Sequence, residues 1–455
     1  MSDENGVEEI REKAKQAVEK IKNFDGKIRL VGQYDADGIS ATAIAHQMLT
    51  RAGKEFEYEI LKQLYEEDVE RLAEEDEDLI LFVDIGSGKA SDIERILADE
   101  KEIVVSDHHE PSEEGSFVHL NPHFLGIDGG EAISAAGMTF ILAHEFVDEN
   151  VDLVEWALVG ATGDMQKQEG EFMGLNKDLE DIALENDIIE KRRGLDLYGM
   201  STKPLKDSLK YTTTPHLEGI SNDEMGAVQF VKSQGVDIRE DGEFRTLSDL
   251  SEEEEKKLIN GLIKTGRPVK PLLNNIYMLE NGYEVGEFST VINACGRLGR
   301  AKDGVKILIE QDLDLAKTVS RAYGRKISQS LNFVENNSDD EDYIYDDGIG
   351  VIDAEDNIKD DFIGTVTTIS MSNGFFDSPV VMGAAHTGKD KIKVSSRAKK
   401  EAVEAGLNLG EIIGEICEEL DGEGGGHNVA AGAKIPRDNK EEFIDMLEEK
   451  ISEEA

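Results

Sequence analysis

Val104-Val105-Ser106-Asp107-His108-His109-Glu110-Pro111 is an apolar run that ends in an aspartate and two adjacent histidines. Such a triplet at the end of a buried strand is costly unless it binds something. Two earlier runs end in the same way. Ile28-Arg29-Leu30-Val31 leads into Tyr34-Asp35-Ala36-Asp37-Gly38, and Leu79-Ile80-Leu81-Phe82-Val83 ends at Asp84. Asp164 follows a further apolar run, Trp156-Ala157-Leu158-Val159-Gly160-Ala161-Thr162-Gly163. In an open parallel sheet the carboxyl ends of the strands face one crevice, where ligands bind. Carboxylates and imidazoles converging there from four segments make an oxygen-and-nitrogen cage suited to a pair of divalent metals. The chemistry this points to is phosphoester hydrolysis.

Strand and helix patterns alternate around these motifs: strands at 28–34, 56–61, 79–84 and 102–107, helices at 39–52, 66–75 and 90–99. The alternation predicts βαβ units and a mainly parallel sheet in an α/β fold. Val7, Ile10, Ala14, Val18 and Ile21 add an N-terminal amphipathic helix. Helical patterns dominate 134–165 and 177–235, and the polar segment Arg239–Lys257 reads as a surface excursion. A long polar helix at 313–336 runs into the acidic break Ser338-Asp339-Asp340-Glu341-Asp342. Beyond it come β-type runs, a helix at 398–420, a glycine-rich loop and a closing helix near 440–450. The domains expected are 1–200, a helical insertion at 201–312, a linker helix at 313–340 and a smaller α/β domain at 341–455.

Charge is the extreme property of the composition: 98 acidic against 49 basic residues in 455, a net −49 spread over the whole length. A solvated acidic surface of this kind suits a cytoplasm of very high ionic strength, where repulsion is screened. It points to a halophilic source. An acidic balance ordinarily argues against nucleic-acid binding. At molar salt, however, counterion release contributes little for any protein, so binding would rest on metal–phosphate contacts, stacking and a few placed Arg or Lys. Cys295 and Cys417 stand far apart without metal-type spacing, which suggests reduced thiols. The first residues show no basic region or apolar core of a signal peptide, and no apolar run approaches the ~20 residues that span a bilayer. The expectation is a soluble, cytoplasmic protein with no membrane association.

Taken singly, most motifs have a plainer reading. Asp35-Ala36-Asp37-Gly38 is equally a tight turn before a helix, and Asp164 a helix cap. Gly422-Glu423-Gly424-Gly425-Gly426-His427 is either a flexible turn or an anion-binding nest of backbone N–H groups. The apolar Val429-Ala430-Ala431 that follows favours binding. In Ser395-Ser396-Arg397, Arg397 is a phosphate fork or a surface arginine paired with an acid. Arg297, in Asn293-Ala294-Cys295-Gly296-Arg297, either reaches the crevice or belongs to small-residue helix packing. His46, His119, His123, His144, His216 and His386 read as structural.

Assembled in order, these residues resemble the DHH phosphoesterase superfamily over nearly the full length. Asp35/Asp37, Asp84, Asp107-His108-His109 and Asp164 match its four motifs, and the glycine-rich segment ending in His427 matches its associated C-terminal domain. Gly160-Ala161-Thr162-Gly163-Asp164-Met165-Gln166, Gly174-Leu175-Asn176 and Leu197-Tyr198-Gly199 look like the archaeal RecJ-like, GINS-associated nucleases. The resemblance implies a DHH catalytic domain and a DHH-associated substrate-binding domain. It implies two Mn²⁺ or Mg²⁺ ions held by Asp35, Asp37, Asp84, His108 and Asp164, with Asp84 bridging. It also implies that Asp107 orients His108, that His109 contacts the phosphoryl oxygen, and that Ser395, Arg397, Gly424, Gly425, Gly426, His427 and Arg297 bind substrate. The implied activity is a single-strand exonuclease on DNA or RNA, 5′-to-3′, serving replication or repair. The GINS complex and the replicative helicase are the implied partners. Two other readings are a nano-oligonucleotide hydrolase or phosphatase and a non-catalytic replisome component. Many members carry a histidine four residues before the first aspartate, where this chain has Val31, and Gln33 replaces an acid frequent in bacterial relatives.

Overall fold

Leu79–Val83 is buried at every position, as a strand covered on both faces must be, and it is the middle strand of the sheet that carries the site. The computed structural model describes residues 3–168, 170–212, 215–341 and 343–454. Its first sheet contains β1 (Ile28–Gln33), β2 (Phe56–Leu61), β3 (Leu79–Val83), β4 (Glu102–Ser106) and β5 (Val118–Leu120). The order is β2-β1-β3-β4-β5, and every neighbouring pair is parallel. Helices α1 (Asp3–Asn23), α2 (Ala36–Arg51), α3 (Glu66–Ala73), α4 (Ala90–Ile96), α5 (Ala135–Phe146) and α6 (Val154–Gly163) accompany it. On one face Val69, Leu72 and Ile93 of α3 and α4 pack with Val31, Ile80, Phe82 and Val105. Helices α2, α5 and α6 are buried nearly all round, which is why their sequences lack a polar stripe. Chain order reverses between β1 and β3, so their carboxyl ends border the ligand crevice of such a sheet.

After α7 (Asn176–Glu185), strand β6 (Ile189–Leu195) pairs antiparallel with β7 (Leu273–Leu279). Between them α8 (Leu205–Tyr211), α9 (Glu224–Ser233) and α10 (Glu252–Lys264) enclose a separate core that includes Leu209, Val231, Leu258 and Leu262. The surface excursion expected at Arg239–Lys257 is what most of the segment forms: residues 239–244 are an exposed short hairpin, and along 245–257 Arg245, Leu247 and Glu255 are the buried positions. The buried charges are paired. Arg245 donates twice to Glu254 at 2.8 Å, and Arg192 and the Leu195 amide each donate to Glu255 at 2.6 Å. A capping box at Ser251 and Glu254 starts the helix. Helices α11 (Val285–Arg297) and α12 (Ala301–Glu310) then return the chain to α2 and α6.

The two compact units are Met1–Ser320 and Arg321–Ala455. The division falls inside α13 (Leu313–Asn336) rather than at the acidic 338–342 stretch, of which Asp342 lies outside the described residues. The second unit is a six-stranded mixed sheet with β8 (Ile344–Asp347), β9 (Ile349–Asp353), β10 (Val380–Thr387), β11 (Lys391–Ala398), β12 (Glu423–His427) and β13 (Ala430–Pro436). Their order is β8-β9-β10-β11-β13-β12, flanked by α14 (Asp360–Ser372), α15 (Leu409–Glu419) and α16 (Lys440–Glu454). Two expectations change. The helix expected at 398–420 is a short turn of helix at Lys400–Glu404 followed by α15, because β11 runs on to Ala398. The glycine-rich segment is not a loop but an edge strand paired antiparallel with β13. Among the described residues no helix is long and apolar enough to cross a membrane.

Candidate metal centre

The backbone aims each carboxylate of the site. Asp35 caps α2, its Oδ1 accepting from the Gly38 amide at 3.0 Å. Asp37, fully buried, accepts from the Ala135 and Ala136 amides at the start of α5, at 2.7 and 3.0 Å, where a helix N-terminus favours negative charge. Gly160 makes this approach possible, because a Cβ there would collide with Asp37. Asp84 leaves β3 in a left-handed conformation, φ 59°, that side chains rarely adopt. Asp164 is the C-cap of α6, a helix end rather than a strand end.

The imidazoles are held differently from the expectation. His108 is 3.5 Å from Asp84, 3.8 Å from Asp37 and 3.1 Å from Asp164 through Nε2. Its Nδ1 lies 2.8 Å from the Gly129 carbonyl, so Nδ1 carries a proton and Nε2 is the nitrogen turned to the three carboxylates. Gly129 therefore orients His108; Asp107 instead holds His109, with Nδ1 2.8 Å from Oδ1. The other Asp107 oxygen accepts from the Ser87 amide at 2.9 Å. His109 is half exposed, and its Nδ1 is 3.7 Å from Asp84.

Asp84 is 1% exposed, and neither of its oxygens has a hydrogen-bond donor among the described residues. Two orphaned oxygens buried among Asp35, Asp37 and Asp164 are repulsive unless positive charge lies among them. Burial, then Asp35, Asp37 and Asp164, push the Asp84 carboxyl well above the usual range. Burial and then Asp164 push Asp37 up to about 7 and also raise Asp35. Burial opposes a charged His108, but Asp164 and Asp37 outweigh it and push the ring up to about 10. Burial likewise opposes ionisation of Asp107, yet His109 and His108 hold its carboxyl below its ordinary value. Asp84, His108 and His109 form one group with ligand atoms within 4.8 Å of one another, and Asp37, His108 and Asp164 form another. This donor set, oxygens with one or two imidazoles, fits Mn²⁺ or Mg²⁺.

The residues that sequence reading missed lie one contact further out. The buried Asn121 donates to Ser87 Oγ at 2.9 Å and to the His109 carbonyl at 2.8 Å. His119, read as a structural histidine, sits 2.8 Å from the same Ser87 hydroxyl, so it belongs to this network. Gln166 donates to the Gly129 carbonyl at 2.8 Å and accepts from Asn176 at 2.6 Å. Val31 is packed in the apolar core, so the place of the absent histidine is filled by hydrocarbon. Gly296 abuts the Tyr34 carbonyl, where a Cβ would collide, and this sets the end of α11, which carries Arg297, against the turn of Asp35.

In the second unit the register pairs Arg397 with Ala430 and Ala430 with His427, and Ser395 with Gly432 and Gly432 with Gly425. Cross-strand partners point to one side, so Ser395, Arg397, Gly425 and His427 share a face floored by small residues. Gly424 and Gly426 alternate to the other face, and a Cβ on Gly424 would strike Cys417. Arg397 is half-buried and donates to Thr368, Ser395 Oγ and the Ser396 carbonyl at 2.8–3.1 Å.

Residues 27–163 match the DHH family N-terminal domain, 197–270 the DHH-CID domain and 352–453 the DHHA1 domain. An uncharacterized protein of Methanocaldococcus jannaschii is 30% identical over 459 residues, which cover 98% of both chains. The chain belongs to the DHH family. The single-stranded-DNA-specific exonuclease RecJ of Thermus thermophilus is 35% identical over 126 residues, 26% of this chain and 18% of that protein. The RecJ of Bacillus subtilis is 26% identical over 170 residues, 35% and 21%. This DHH protein thus aligns with only a small part of either curated RecJ. Among solved structures, Thermus thermophilus RecJ in complex with Mn²⁺ has a TM-score of 0.60 at 18% identity, covering 98% of this chain and 55% of that one. CDC45 of Entamoeba histolytica also scores 0.60, at 11% identity and 99% of both chains. At these identities the likeness is one of fold.

Proposed function

We propose that this DHH protein is a metal-dependent exonuclease that shortens single-stranded DNA, with RNA as a second substrate, in replication or repair. The observation that carries the reading is the buried Asp84 carboxylate, without donors among the described residues, facing His108 Nε2, Asp37 and Asp164. Two Mn²⁺ or Mg²⁺ ions would be held by Asp35, Asp37, Asp84, His108 and Asp164, with Asp84 shared. Bound there, the ions would neutralise phosphate charge and lower the pKa of the attacking water. The protein's own groups do the rest. Asp107 fixes the His109 ring so that Nε2 is left for a phosphoryl oxygen, and its charge favours the protonated ring against burial. Arg397, Ser395 and His427, on one face, grip the phosphates of the strand over the floor at Gly425; Gly424 and Gly426 keep β12 close-packed, and Arg297 lies toward the scissile end.

The RecJ relatives, single-stranded-DNA-specific by name, support the substrate and, by resemblance, a 5′-to-3′ direction. The acidic composition supports a cytoplasmic enzyme of a halophile. A concurrent replisome role, with the GINS complex and the replicative helicase as partners, is favoured by the end-to-end fold match to CDC45.

The test is release of nucleotides from an end-labelled single strand in molar KCl, with and without Mn²⁺, against blunt duplex and a dinucleotide. Mn²⁺-dependent shortening of the strand with the duplex spared is the expected result. Turnover of the dinucleotide alone would make the protein a nano-oligonucleotide hydrolase, and no turnover would leave a scaffold. Arg397→Ala should raise KM for the strand at least tenfold with a small change in Tm, and Arg397→Lys should not rescue it, because an ammonium cannot fork. Equal losses of binding and of Tm would make Arg397 structural.

A further inference from the structure

Met165, Tyr198 and Tyr211 are among the most exposed large side chains of the described residues. Met165 follows Asp164 directly, is 84% exposed and has a left-handed φ of 60°. Tyr198 and Tyr211 are 62% and 51% exposed, and their rings meet edge-on at 6.4 Å. The two places are structurally tied. Lys167 lies 3.9 Å from Glu284, the N-cap of α11, whose amide donates to Ser201 Oγ at 3.1 Å. Lys167 and Ser201 therefore meet at the N-cap of α11.

The charge is also unlike the rest of the chain. Residues 191–212 hold six Lys or Arg and two Asp, in a protein whose net charge is −49. Lys210 stands 5.1 Å from the Tyr211 ring, and Lys203 lies across Gly199 beside Tyr198. Of the six, Lys191 is bonded to Glu171 and Glu180, Arg192 to Glu255, and Lys206 to Glu224, which also lies 4.0 Å from Lys210. Exposed aromatic faces interleaved with lysines bind single-stranded nucleic acid, the bases stacking and the cations tracking phosphate.

We infer that Tyr198 and Tyr211, with Lys203 and Lys210, form a shelf that stacks the bases of a single strand beside the metal centre, with Met165 at the rim. The inference rests on the nuclease reading for what happens at the strand's end, but not for the shelf's own binding. It is tested by fluorescence anisotropy of a labelled single-stranded oligonucleotide, with Ca²⁺ replacing Mn²⁺, alongside Mn²⁺-dependent cleavage and a thermal melt.

The double variant Tyr198→Ala/Tyr211→Ala should bind the oligonucleotide about tenfold or more weakly, with Tm and dinucleotide cleavage unchanged. Tyr198→Phe/Tyr211→Phe should bind as wild type, since the stacking ring remains. Lys203→Gln/Lys210→Gln should weaken binding and flatten its salt dependence. A folded Tyr198→Ala/Tyr211→Ala protein with wild-type affinity would overturn the shelf, as would a wild-type protein that binds no oligonucleotide. Wild-type binding lost in the Ala pair, with no cleavage by any form, would uphold the shelf and remove the nuclease reading.

Discussion

Asp84→Asn is expected to abolish most divalent-metal binding and to lower strand hydrolysis by several orders of magnitude, while the metal-free protein melts no lower than wild type. Asp84 is 1% exposed, its two oxygens have no donor among the described residues, and it faces Asp35, Asp37 and Asp164. The amide occupies the same volume, but it removes the charge that two cations would share, and in-line displacement between two ions needs both. In the metal-free protein the same change relieves repulsion among clustered carboxylates, so Tm should hold or rise. Metal titration by calorimetry, a melt with and without Mn²⁺ and a single-strand nuclease assay separate these effects. The Mn²⁺-induced rise in Tm seen for wild type should vanish. If the variant keeps more than about a tenth of wild-type activity, a loss under ~1.4 kcal/mol of barrier, Asp84 is not the shared ligand and the site must be rebuilt around other residues.

The parallel sheet was legible because a strand covered on both faces has to be continuously apolar. Its order could not be read, since the reversal between β1 and β3 is a matter of pairing and not of composition. The carboxylates were legible because charged residues ending apolar runs are conspicuous. Their aiming was not. Asp37 is held by amides of α5, some hundred residues away in the chain, and nothing near Asp37 announces that. Asp107 looked like the support of its neighbour His108, yet its ring contact is with His109, because adjacent residues on an extended backbone point apart. Within the exposed Arg239–Lys257 segment the exceptions were hidden for a related reason: Arg245, Glu254 and Glu255 read as surface charge until their partners are seen. The glycines at 424–426 signal close approach equally in a loop or a strand, and only the pairing with β13 decides between them.

Gly129→Ala should cost metal affinity although the residue is no ligand. Gly129 stands so close to the His108 backbone that a Cβ would collide with the His108 carbonyl, and backbone cannot yield as a flexible side chain does. Its own carbonyl is the group 2.8 Å from His108 Nδ1, and it also accepts from Gln166 at 2.8 Å. Displacing this turn tilts the ring whose Nε2 sits among Asp37, Asp84 and Asp164. Loss of a partner that orients a metal-binding histidine typically lowers affinity ~10–100-fold, and the steric shift adds to it. The expected result is a Mn²⁺ affinity at least tenfold weaker and a lower Tm. Gln166→Leu separates the two causes, because it removes one hydrogen bond to the Gly129 carbonyl without adding an atom beside His108. It should weaken Mn²⁺ binding less than Gly129→Ala does, and leave Asn176 without its 2.6 Å partner. The measurements are Mn²⁺ titration of both variants and the Mn²⁺-dependent shift in Tm. Wild-type affinity in a folded Gly129→Ala protein would mean that His108 is held by something other than the Gly129 carbonyl.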